Sequence, residues 1–210
     1  KLSQYLKNKK RRYNFFSAFF AKRSLMLNKK SIFKIGIIFL IYILLSSHSP
    51  WNQYLAYRAE HLLIMSTRED APTYPFSKIL VNAINEVLPE ASARPARART
   101  FKRVQSLFST NQMPLVLLSK ENAKALIKGN GPFEKYGAAE ALVIYFFDDL
   151  VLLAQPNFPD RFAWLLTDAI VKLETQLPGA TSPLKVEKII KIHPGTLMAL
   201  NNEKIPELKK

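Results

Sequence analysis

Three regimes of hydrophobic patterning follow one another along the chain. In residues 1–31, Leu2, Leu6, Tyr13, Phe16, Phe20 and Leu27 approximate a helical stripe set among lysines and arginines, and the pairs Phe15-Phe16 and Phe19-Phe20 thicken it. A narrow aromatic face beside a basic one is the pattern of a helix lying in the headgroup plane of a membrane. A disordered basic tail is the alternative that composition alone leaves open. Residues 32–49 then form an apolar segment, unbroken from Ile35 to Leu45 and extended by Ile32, Phe33 and Ser46-Ser47. Its 18 residues reach the lower end of what a spanning helix needs, with Lys34 placed to snorkel toward the headgroups. Trp51 and Tyr54 follow where interfacial aromatics belong.

From His61 onward the pattern switches between short apolar runs and 3.6-residue periodicity. Strand-length runs occur at 61–66, 114–118, 141–147 and 150–154, with a weaker extended segment at 91–98. Between them, helices are predicted over 74–88, with Phe76, Ile79, Leu80, Ala83, Ile84 and Val87 inward, and over 101–108 behind Thr100 as N-cap. A short helix at 122–127 precedes a turn marked by Gly129, Gly131 and Pro132, and the longest helix runs from 160 to 177. Phe162, Leu165, Leu166, Ala169, Ile170 and Leu173 form the stripe of that last helix. Alternating strands and helices predict an α/β domain with a mostly parallel sheet. The organisation expected is therefore a tail (1–31), a transmembrane helix (32–49), a linker (50–60), an α/β domain (61–200) and a polar C-terminal stretch (201–210).

Charge sharpens that division. The formal net charge is +15, but residues 1–34 hold eleven of the 31 basic residues and no acid, leaving 20 bases against 16 acids, or +4, for the rest. The basicity belongs to the tail. Next to an apolar span it points to an anionic lipid surface rather than to nucleic acid. It also orients the span, with the tail in the cytoplasm and the domain outside, which in a bacterial inner membrane is the periplasm. No A-x-A pattern follows the apolar run, so an uncleaved anchor is expected rather than a signal peptide. Membrane and partner contact falls to Lys9, Lys10, Arg11, Arg12, Phe15, Phe16, Phe19, Phe20 and Trp51.

The order of motifs in the domain resembles the TAXI family, the solute-binding subunits associated with TRAP transporters. The run Leu62-Leu63-Ile64-Met65-Ser66-Thr67, a loop ending Thr73-Tyr74-Pro75, and Val87-Leu88-Pro89 are similar to the family's opening. Phe101–Phe108, Gly129-Asn130-Gly131-Pro132-Phe133, Leu150–Leu153, Phe158–Ala169 and Ile192-His193-Pro194-Gly195 resemble its later motifs in order. The resemblance spans roughly residues 61–200. It implies a periplasmic-binding-protein-like lobe, with Thr73 and Tyr74 as the residues nearest a small carboxylate ligand. Two departures matter. Leu153 to Phe158 runs almost directly into the late helix, so most of a second lobe is missing. The Gly-rich loop expected after the first strand is replaced by Arg68-Glu69-Asp70-Ala71-Pro72, which puts acids where bare N–H groups would hold an anion.

Little else looks chemical. The chain has no cysteine, and His48, His61 and His193 have no spacing suited to a metal. His193 fits a turn better than a ligand set, and Asp148-Asp149 fits a plain turn between strands. Arg94, Arg97, Arg99, Lys102 and Arg103 form either a solvated basic face or a contact for an acidic partner or phosphate. There is no G-x-S-x-G, P-loop or Rossmann fingerprint. No catalytic residue, metal or cofactor is expected. The sequence predicts a membrane-anchored accessory or structural subunit of a larger membrane complex; the alternative is a tethered receptor for a small carboxylate.

Overall fold

A computed structural model describes residues 57, 58, 60–186 and 190–207. The chain divides into two units, Lys1–Gln53 and Tyr54–Lys210, and all described residues belong to the second. The expected tail, transmembrane helix and interfacial Trp51 lie outside the described residues. Among those described, no helix is long and apolar enough to cross a membrane.

In chain order the domain runs β1 (Leu63–Thr67), α1 (Thr73–Val87), β2 (Arg94–Ala98), α2 (Phe101–Ser109), β3 (Leu115–Ser119), α3 (Lys120–Lys128), β4 (Leu142–Phe147), β5 (Leu150–Ala154), α4 (Asp160–Lys172), β6 (Ala180–Thr181) and α5 (Pro194–Leu200). The strands form one sheet in the order β2-β1-β3-β5-β4-β6. β1 pairs in parallel with β2 and with β3, whereas β5 is antiparallel to both β3 and β4, and β6 is antiparallel to β4. The architecture is α/β as expected, but the sheet is mixed rather than mostly parallel in its pairings. The cause is local. Only Asp148 and Asp149 separate β4 from β5, and a two-residue turn can join only antiparallel neighbours. Asp148 takes φ 46°, which closes that turn.

Alternation along the strands divides the core in two. Leu63, Met65, Val116, Leu118, Val151 and Leu153 face α2 and α3, while Ile64, Leu115, Leu117, Leu150 and Leu152 face α1 and α4. An irregularity between Val143 and Tyr145 sends Ile144, Tyr145 and Phe147 to the second layer together. Two expected helix faces need correction. In α1 the buried stripe is Leu80, Val81 and Ile84 with Thr73 and Ser77, and Ile79 and Val87 point outward, 47% and 38% exposed. In α4, Phe162 is likewise 43% exposed. α4 also ends at Lys172 rather than 177, in a run of turns.

The closing His-Pro-Gly run starts α5, which the sequence reading took for a turn. His193 is its N-cap, Pro194 supplies the φ preset for a first helical residue, and a β-carbon at residue 195 would overlap the carbonyl oxygen of Asp160. Only glycine fits there. The Gly129–Phe133 run has a comparable role. Gly129 ends α3 with φ 66°, and Phe133 is fully buried, edge-on to Phe101 at 5.1 Å.

Candidate functional site

Right-handed crossovers place α1 on one face of the sheet and α2 on the other, because the chain reverses direction across β1 between the two. That reversal makes the carboxyl ends of β1 and β3 the switch point of the sheet, where the fold would place a crevice. In open α/β sheets this switch point is where ligands bind. The N-termini of α2 and α3 flank this point and would present free N–H groups to an anion.

The chain's own carboxylates fill both positions. Glu69 accepts from the N–H of Phe101, the first residue of α2, at 2.6 Å through Oε2. Asp70 accepts from the N–H of Ser119, at the end of β3, at 2.8 Å through Oδ2. Asp70 is only 5% exposed. Its carbonyl oxygen is also engaged, accepting from the N–H and the hydroxyl of Thr73 at 3.1 and 2.7 Å. Thr100 and Ser119 complete the caps by accepting from Arg103 N–H and Asn122 N–H. The Arg68–Pro72 loop thus satisfies, within the protein, one backbone N–H at the start of each of these two helices.

Thr73 and Tyr74 both sit at the start of α1, and the structure gives them different circumstances. Thr73 is buried, with its hydroxyl donating to Asp70 and, at 3.4 Å, to the carbonyl of Thr67. Tyr74 is half-buried, and the Arg97 guanidinium lies over its ring at 4.4 Å, with the Lys78 ammonium at 4.8 Å. Arg97 comes from β2, a neighbour that spacing could not reveal. The contact residues Lys9, Lys10, Arg11, Arg12, Phe15, Phe16, Phe19, Phe20 and Trp51 lie outside the described residues.

Two cavities stand apart from the switch point. At the amino edge of the sheet, a cleft of about 640 Å³ is lined mainly by apolar side chains, among them Leu62, Leu88, Phe158, Phe162 and Leu165. Sequence reasoning missed it because Phe162 falls on the stripe expected to be buried. A second cavity, between β2 and α2, has a basic rim.

His193 is buried. Its Nδ1 accepts from the N–H of Gly195 at 3.2 Å and its Nε2 lies 2.9 Å from the carbonyl oxygen of Phe158, a pairing that requires the neutral ring with its proton on Nε2. Burial pushes its pKa below the ordinary 6.5, opposed in part by the Phe158 carbonyl and the Asp160 carboxylate. Tyr145 is the other perturbed group. Burial, and secondarily the nearby Glu174 carboxylate, push it up to about 12, and its buried hydroxyl has no hydrogen-bond partner among the described residues. Both belong to the core and neither faces the switch point. Among the described residues, no three His, Asp or Glu side chains group closely enough to hold a metal ion. No protein-family model matches the chain, and no curated protein matches it in sequence.

Proposed function

We propose that this protein is a membrane-anchored accessory subunit of a larger membrane complex, built on a single degenerate solute-binding-protein lobe of the TAXI type. The self-occupied switch point carries this reading. A domain whose ligand-facing amides are held by its own Glu69 and Asp70 is suited to being a fixed body rather than a solute trap. The outward apolar side chains agree with that role, since Ile79 and Val87 on α1 and Phe162 and Val171 on α4 offer surface for a partner. In this reading residues 32–49 span a bacterial inner membrane, the tail lies in the cytoplasm against anionic lipid, and the domain stands in the periplasm. No catalytic step and no cofactor are part of it.

The test is the size of the particle that carries the chain when native membranes are dissolved in mild detergent. The expected result is migration in an assembly well above the monomer, lost when residues 1–50 are removed. A monomer that keeps its full cellular role without those residues would sink the proposal.

A further inference from the structure

The groove between β2 and α2 encloses about 720 Å³ over a floor that includes Met65, Leu107 and Met113. Its rim carries the side chains of Arg58, Arg99, Lys102 and Arg103, while the Arg97 guanidinium turns to the α1 face over Tyr74, and among the described residues no acidic one lines the groove. Among the described residues none of these four rim cations lies in an ion pair. Arg58 donates to the side-chain oxygen of Gln112 at 3.1 Å, and Arg97 rests over Tyr74; Arg99, Lys102 and Arg103 are exposed. Four like charges around one apolar-floored groove repel one another and call for an anion with an apolar part.

Two further observations select the occupant. First, β2 is an edge strand of sequence Arg-Pro-Ala-Arg-Ala, and the proline lacks an N–H while the arginines stand exposed, so an acidic peptide is ill-placed to add as a further strand. Second, Tyr57, which lines the groove, comes eight residues after Ser49, the end of the apolar segment. Eight residues span at most about 29 Å, so in the anchored reading the groove's Tyr57 wall stays within that reach of the end of the apolar segment. We propose that this groove seats the phosphate headgroup of an anionic phospholipid, holding the β2–α2 side of the domain against the bilayer. The inference rests on the anchored reading above. Phosphate oxygens take the arginine and lysine donors, and the glycerol and first acyl carbons meet the methionine and leucine floor.

The experiment uses the full chain in nanodiscs of phosphatidylcholine alone or with one third phosphatidylglycerol, and follows amide hydrogen exchange over residues 94–109. Exchange there is expected to slow by about five-fold in the anionic discs. The triple variant Arg99→Glu, Lys102→Glu, Arg103→Glu should lose that difference while matching the wild type in neutral discs, which checks its fold. Equal exchange in both discs overturns the inference, as does persistence of the difference in the triple variant. The same slowing produced by inorganic phosphate in neutral discs assigns the groove to a free anion and overturns the lipid. Co-elution of the chain with the discs is read separately: without it the anchored reading falls as well, whereas co-elution without protection sinks only the lipid site.

Discussion

At the scale of single residues, Asp70 holds more of the switch point than any neighbour. Its carboxylate takes the Ser119 N–H and its carbonyl takes two donors from Thr73, so one residue ties the ends of β1 and β3 to the start of α1. Asp70→Ala leaves the Ser119 amide without its acceptor and is expected to cost about 1–3 kcal/mol in denaturant unfolding. Asp70→Asn, which retains an acceptor oxygen, should recover a good part of that, and Glu69→Gln should cost less because Glu69 is exposed. Equal losses for all three would mean that the hydrogen bond is not what matters. His193 predicts a pH dependence. A histidine whose folded pKa lies below its unfolded value of 6.5 binds its proton more readily unfolded, so stability falls as pH drops through 6.5 and levels off below the folded value. Between about pH 7 and pH 5 the melting temperature should therefore fall more steeply for the wild type than for His193→Asn. Parallel profiles would contradict the neutral, buried ring. The sequence offered both residues, and the acids were legible in the loop after the first strand. Their partners were not, because Ser119 and Phe101 come 49 and 32 residues later in the chain.

Among the elements, strand and helix positions in the domain were largely written in periodicity and caps. Thr100 before α2 and the run from Leu142 to Ala154 are good instances. What periodicity could not give was strand direction and helix facing. The Asp148-Asp149 break already implied a hairpin, and following it through would have placed an antiparallel β5 inside the sheet. Ile79, Val87 and Phe162 look inward by spacing because a stripe wide enough to include them exists, yet the sheet covers only part of that width. β6 is only two residues long, and α5 begins on a proline that spacing reads equally as a turn. The outward residues yield a prediction. Ile79→Ser with Phe162→Ser should change unfolding free energy by no more than about 0.5 kcal/mol each, yet shrink the detergent-solubilised assembly. A large loss of stability would show that these side chains serve the fold instead of a partner.

For the whole molecule, the proposed anchored design and the self-occupied switch point belong together. A solute receptor needs an empty site and a second lobe to close it; this chain runs from β5 to α4 in five residues and fills the site with its own carboxylates. The short connection from β5 to α4 was legible in the sequence as the run from Leu153 to Phe158. The filling of the switch point needed coordinates, since it depends on three loops meeting at the carboxyl edge of the sheet. The central claim is that this switch point captures no solute, and a thermal-shift titration of the full chain in detergent with amino acids and mono- and dicarboxylates tests it most directly. No ligand should raise the melting temperature, even at millimolar concentration. A saturable rise with any one of them, abolished by replacing Tyr74 or Arg97, would contradict the claim and restore a receptor.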